Sequence, residues 1–345
     1  MKDLSSRRSE LLLHIARLHY ERNLSKTAIK NKLGKSKSGK RWSVTEVARL
    51  LDEAHDSGIV RIEIKAPQND GLVRSLIAKY SCLREAIVVA SEDEYLQHTR
   101  TLAKAAAEYF DDNVCKRAGT RVGLSGGLTI FELVKTLPEK NRKIKLYPTA
   151  ILGRGSTIVN HIDPIVSLMI LWAKSGYPRN GLFFVTCTPP EKKPGGRSLS
   201  VSDMQRELDQ LLQRRKIHQI HDDMRKVDFL FASARQIEVP VGRKSRMGAM
   251  SVDLLQDIGI SQEHVAGAVG DVNYSFIDDR GQTRPEWRLF LSLQADVLRK
   301  MAADASKRVI LIGGHNKEKI LRAALIGKLF NVLITDERTA TALLK

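Results

Sequence analysis

The chain has only three cysteines in 345 residues, Cys82, Cys115 and Cys187, and no two of them form a CxxC pair. So sparse and odd a set argues against a disulfide scaffold or a zinc ribbon, and leaves small, partly buried thiols as the expected state. Long apolar runs are missing too. None reaches the roughly 20 residues that cross a bilayer, so no membrane partner is expected. The start, MKDLSSRRSE, is charged and lacks the apolar core and small-residue cleavage site of a signal peptide, which points to a cytoplasmic protein. Clustered metal ligands are scarce. His218 and His221 stand three apart beside Asp222 and Asp223, but no HExxH or further His/Cys group joins them, so a charged helix surface is expected and no metal or cofactor. Acidic residues are the other shortage: 39 Asp and Glu against 57 Lys and Arg leave a formal charge of +18, which draws a protein toward polyanions.

What is present suggests two domains of unequal size. In the first, Leu11, Leu12, Ile15, Ala16, Leu18 and His19 fall on one helical face between Glu10 and Arg22. Asn23-Leu24 breaks that pattern. Ser25 then caps a short second helix that carries Ala28, Ile29 and Leu33 and stops at Gly34. The next stretch, KSKSGKRW, reads as a basic loop, with Trp42 as its anchor. From Lys26 through Lys30, Lys32, Lys35, Lys37 and Lys40 to Arg41 there is no Asp or Glu, whereas a merely solvated face mixes signs. Ser43 and Glu46 form a capping box at the start of a third helix. Its buried stripe is expected to be Val44, Val47, Leu50, Leu51 and Ala54, leaving Thr45, Glu46, Ala48, Arg49 and Asp52 outward. Gly58 ends that helix and residues 59–64 alternate as a strand.

Three short helices and a β-ribbon make the pattern of a winged helix-turn-helix, whose third helix enters the major groove of double-stranded DNA. The candidate DNA surface is Lys37, Lys40, Arg41, Ser43, Thr45, Glu46 and Arg49, with Thr45 and Arg49 in reach of bases and Lys37, Lys40 and Arg41 beside phosphates. ARLHYERNLSKTAIKNKLG followed by SVTEVARLLDEAHDSGIVRIEI resembles the DNA-binding module of the SorC family of sugar-responsive bacterial regulators. Residues 35–41 lengthen the turn that this family keeps tight, and their basic content suggests added phosphate contacts.

Residues 1–65 are thus read as the DNA-binding domain, 66–71 (Ala-Pro-Gln-Asn-Asp-Gly) as a linker, and 72–345 as an α/β domain. In the last, apolar runs at 86–90, 121–124, 144–151, 181–186, 227–233, 309–314 and 331–335 alternate with helical patterns, among them one long helix through 201–225. Such alternation means a mostly parallel, Rossmann-like sheet, whose ligands bind beyond the carboxyl ends of the strands. Two strands end in glycine pairs: Ser125-Gly126-Gly127-Leu128-Thr129, and Gly313-Gly314 ahead of Lys317. Glycine lets backbone N–H groups approach an anion, although tight strand-to-helix turns need glycine in any α/β protein.

GLSGGLT resembles the "G.S.G.T" phosphate loop of the SorC effector domain, AVGDVNYSFID resembles its "AVG[DE]I.G.F.D" segment, and residues 309–344 resemble its "V.AGG..K..AI.AAL.G...NVL.TDE.TA..LL" ending. The resemblance implies a fold like that of sugar-phosphate isomerases, with catalysis lost and sensing kept. It implies phosphate on Ser125, Gly126, Gly127 and Thr129, ligand contacts from Asp271 and Lys317, and further contacts from Arg154 and His161. Two departures stand out: Ala232-Ser233-Ala234 where the family has a "GIG" turn, and ILGRGS where it has a glycine pair. The expected protein is a non-enzymatic, homo-oligomeric regulator of carbohydrate metabolism, dimer or tetramer, that binds operator DNA under the control of a phosphorylated sugar. The competing readings are a sugar-phosphate isomerase-like enzyme with a DNA-binding appendage, and a DNA-binding protein whose pocket is purely structural.

Overall fold

The computed structural model describes residues 2–34, 41–60, 69–151, 164–179, 181–183, 200–237, 260 and 262–345. The chain divides into two compact units, Met1–Lys65 and Ala66–Lys345.

The first unit is helical over its described residues. Helix α1 (Lys2–Ala16) runs into one wider turn of π type, Arg17–Glu21. Asn23 then takes a left-handed φ of 52° and ends the run. Helix α2 (Lys26–Leu33) starts at Ser25, whose side chain accepts from the Ala28 N–H at 3.2 Å. Helix α3 (Val44–Asp56) has the full capping box: Ser43 Oγ accepts from Glu46 N–H at 3.0 Å, and the Glu46 carboxylate accepts from Ser43 N–H at 2.7 Å. Leu12, Ile15, Leu18, Ile29, Val47, Leu50, Leu51 and Ala54 close over one another as the core of the unit, with Trp42 half-buried against it. Val44 departs from expectation. It sits in the first turn, turned away from that core, and is 40 % exposed. The expected strand over 59–64 falls mostly outside the described residues.

The second unit is an α/β sheet covered on both faces. In chain order its elements are α4 (Asp70–Lys79), β1 (Glu85–Val89), α5 (Tyr95–Asn113), β2 (Thr120–Leu124), α6 (Leu128–Thr136), β3 (Ile144–Pro148), β4 (Ala150–Ile151) and α7 (Pro164–Lys174). There follow α8 (Val201–Leu212), α9 (Arg215–Met224), β5 (Phe229–Gln236), β6 (Gly270–Val272), β7 (Ser275–Ile277), β8 (Leu291–Ser292), α10 (Ala295–Ala303), β9 (Arg308–Ile312), α11 (Glu318–Ile326), β10 (Val332–Asp336) and α12 (Glu337–Leu344). Six parallel strands lie in the order β1-β10-β9-β5-β2-β3, and an antiparallel hairpin, β6–β7, continues from the far end of β5.

The strands are apolar on both sides because both sides are covered. Val309, Leu311 and Leu333 join one core with Leu76, Ile217, Leu298, Ile320 and Leu343 from the helices of that face. The alternate residues Ile310, Ile312, Val332 and Ile334 join another with Leu102, Ile130 and Leu168 from α5, α6 and α7. A third cluster, built on Tyr274, Phe276, Trp287 and Phe290, packs around the hairpin.

Three elements differ from the sequence reading. The single helix expected through 201–225 is two, α8 and α9, because Arg214 is extended (ψ 116°) between them. Asn69 caps α4, accepting from Leu72 N–H at 3.2 Å and donating to Glu337 at 3.1 Å, so helix begins at Asp70 inside the stretch read as a linker. The run at 144–151 is broken into β3 and β4, the second of which pairs antiparallel with β8.

Candidate functional site

The carboxyl ends of β2, β5 and β9 lie side by side and bring the two glycine turns together. Ser125 follows β2, donates its N–H to Phe231 O at 2.9 Å, and accepts from Ser233 N–H at 3.2 Å. The Ser233 hydroxyl donates to Gly126 O at 3.1 Å. Gly127 then opens α6 at φ 113°, a conformation that strains any other residue, and a Cβ there would lie 2.7 Å from Ser233 Oγ. No side chain caps α6, so its first N–H groups and the buried hydroxyl of Thr129 meet at one helix start.

The second turn follows β9. Gly314 is required by crowding: a Cβ would lie 2.3 Å from Asp336 Oδ2 and 2.4 Å from His98 Nε2. His315 N–H bridges the same two atoms, at 3.1 Å and 3.3 Å. Asp336 also accepts from Ser91 and Thr339, and these bonds outweigh a burial that would raise it, so its carboxyl stays below the usual range. Burial pushes His98 down, toward the neutral ring that can accept from His315. Neither His98 nor Asp336 was singled out from the sequence. The second belongs to the "TDE.TA" string, and its physical role is to cap α12 and clamp the glycine turn.

Lys317 ends that turn at the start of α11 and is 8 % exposed. Its side chain has no hydrogen-bond or ion-pair partner among the described residues. Burial first, and then the positive Arg235, push its ammonium down to about 8, while Asp271 works the other way. Asp271 lies directly across from Arg235 in the β5–β6 pairing. Both its oxygens are engaged: Arg235 donates from Nε and Nη2 at 2.9 Å each, and Tyr274 N–H donates to Oδ2 at 2.8 Å. The guanidinium stacks on the Tyr274 ring at 4.2 Å.

Tyr274 and Asn273 form the β6–β7 turn with φ of 61° and 55°, conformations uncommon for such residues. The Asn273 amide holds them by donating to Thr149 O at 3.0 Å and Leu293 O at 3.3 Å. Ser125, Gly126, Gly127, Thr129, Asp271 and Lys317 therefore all stand at the carboxyl edge of the sheet. Arg154 and His161 lie outside the described residues. Arg235 was missed: it pairs with a residue 36 positions away, and no local pattern marks it.

On the first unit, Thr45 and Arg49 are exposed on α3, and Arg41 is exposed just before it. Ser43 and Glu46 are committed to the capping box. Lys37 and Lys40 lie outside the described residues. Among the described residues no group of His, Cys, Asp and Glu is arranged to hold a metal ion, and no helix is long and apolar enough to cross a membrane.

A helical N-terminal unit joined to a doubly covered α/β sheet is the architecture of the SorC-type regulators. The chain superposes on the full-length sorbitol operon regulator SorC of Klebsiella pneumoniae with a TM-score of 0.70 and 21 % identity, over 98 % of this chain and 99 % of that one. Residues 199–345 match the family model of a putative sugar-binding domain. In sequence the chain is similar to the deoxyribonucleoside regulator of Bacillus subtilis (strain 168), 23 % identical over 97 % of each chain. It is also similar to the sorbitol operon regulator of K. pneumoniae, 29 % identical over 42 % of this chain and 44 % of that one. The resemblance to SorC-type regulators is borne out, as is the expected α/β fold with a mostly parallel sheet. These relatives are regulators by name, not enzymes.

Proposed function

We propose that the chain is a DNA-binding transcription regulator of carbohydrate metabolism whose operator binding is modulated by a sugar-phosphate effector. The observation that carries this reading is the pairing of an uncapped α6 start, rich in backbone N–H groups, with the buried Lys317 on the same edge of the sheet. That arrangement suits a phosphate and its attached carbon chain. The similarity to named regulators over nearly the whole chain supports coupling the pocket to DNA.

The DNA-binding surface is taken to be α3, with Thr45 and Arg49 against base edges and the basic run from Lys37 and Lys40 to Arg41 along phosphates. Ser43 and Glu46 then act by fixing the start of that helix. Asp271, Ser125, Gly126, Gly127, Thr129 and Lys317 are taken to form the effector pocket, and Arg154 and His161, outside the described residues, are kept as expected contacts. A unit of this size buries little surface on DNA, so a homo-oligomer, dimer or tetramer, on repeated half-sites is part of the reading, as is a cytoplasmic location. Regulation requires that the effector bind one subunit arrangement better than the other, since equal affinity shifts nothing.

The test is selection of duplexes from a random pool by the full-length protein. The expected outcome is an enriched sequence with two-fold symmetry, bound far more tightly than scrambled DNA. Failure to enrich any sequence would overturn the DNA-binding half of the reading.

A further inference from the structure

We infer that the effector carries a second acidic group, remote from its phosphate, and that Arg235 and Lys317 select it; this rests on the effector reading above and narrows it to carbohydrates anionic at both ends. The first observation is a charge count. Arg235 and Asp271 neutralise each other through two 2.9 Å hydrogen bonds. Lys317 beside them then leaves one positive charge that is buried and has no partner among the described residues. An uncompensated buried charge is costly, and an anion bound beside it removes the cost.

The second observation is which groups are free. Asp271 spends three of its roughly four acceptor sites on Arg235 and Tyr274 N–H, so at most one, on Oδ1, is left for a sugar hydroxyl. The guanidinium has five N–H groups and spends two on Asp271, so the polar wall here offers donors and positive charge rather than acceptors. The Tyr274 ring covers one face of the guanidinium and excludes water from it.

The third observation is distance. Ser233, which touches the Gly126-Gly127 turn, and Arg235 are two residues apart on β5, hence on the same side of the strand and about 7 Å apart. The Gly126-Gly127 turn and Arg235 thus meet one side of β5 at backbone positions spaced by about the length of an extended five- or six-carbon chain.

Without the Tyr274 ring the guanidinium would lose its stacking partner.

The experiment is calorimetric titration of the full-length protein with glucose 6-phosphate, 6-phosphogluconate, fructose 1,6-bisphosphate, gluconate and orthophosphate. The expected result is that one of the two-anion ligands binds about tenfold or more tightly than glucose 6-phosphate. Which one does so distinguishes a carboxylate from a second phosphate. In Arg235→Gln and in Lys317→Met the ratio of two-anion to one-anion affinity should collapse toward one, whereas Thr129→Ala should weaken both and keep the ratio. Arg235→Lys, which keeps the charge, covers the case in which Arg235→Gln does not fold, and should hold part of the preference. Equal affinity for glucose 6-phosphate and both two-anion ligands, or a preference that survives Arg235→Gln and Lys317→Met, overturns the inference while leaving the effector reading standing. Lack of binding by every phosphorylated ligand overturns the effector reading, and the inference with it.

Discussion

Lys317 shows how one side chain can be a liability to the fold and an asset to the site. Its ammonium is buried and pushed down to about 8 from an ordinary 10.5, chiefly by loss of solvent. Below about pH 8 both folded and unfolded chains carry the proton, and the folded chain bears the full cost of burying it. As pH rises from about 8 to 10.5 the folded state releases its proton first, and that cost disappears. Lys317→Met should therefore stabilise the ligand-free protein at pH 7 by about 1–3 kcal/mol while removing the added affinity that a second anionic group gives a ligand. The difference between variant and wild type, measured by denaturant unfolding, should shrink as pH approaches 10.5; a constant difference would mean that the charge is not what costs. Ligand affinity of the wild type should fall above about pH 8, where the phosphate itself no longer titrates, and this fall should be absent in Lys317→Met.

Among helices and strands, the clearest local signals were those whose physics is local. The capping box of α3 was legible because Ser43 and Glu46 lie three residues apart and satisfy each other's backbone N–H groups. Ser43→Ala should cost about 1 kcal/mol, seen as a lower unfolding midpoint of the N-terminal unit; an unchanged midpoint would contradict the cap. The strands of the parallel sheet were legible as apolar runs because they are buried on both faces. Where the reading failed, the deciding interaction was not local or the signal pointed two ways. Asn69-Asp70-Gly71 has the composition of a loop, yet it opens α4, and part of what holds it there is Glu337. The apolar spacing of α8 continues into α9, which hid the break at Arg214. The β6–β7 hairpin turns on Asn273-Tyr274, a pair without the glycine that usually announces such turns. In the site, the glycine turns announced themselves, whereas the Arg235–Asp271 pair and the His98 clamp exist only because distant strands and helices meet.

The whole molecule carries two units with separate chemistries. The charge of +18 is concentrated partly in the run from Lys26 to Arg41, so most of the non-specific attraction to DNA should survive loss of a single base-reading residue. Arg49, exposed on α3, should behave differently: Arg49→Ala should weaken binding to a selected operator by about 1–3 kcal/mol and leave binding to scrambled DNA nearly unchanged. Equal losses on both DNAs would remove it as a base reader.

The most direct test of the central claim is the affinity of the full-length protein for its selected duplex, followed by fluorescence anisotropy with and without a phosphorylated sugar that it binds. The affinity should change at least fivefold, a coupling of about 1 kcal/mol or more, and the change should be lost in both Thr129→Ala and Lys317→Met. Operator binding that is identical at saturating ligand would contradict it, because the pocket would then have no say over the DNA.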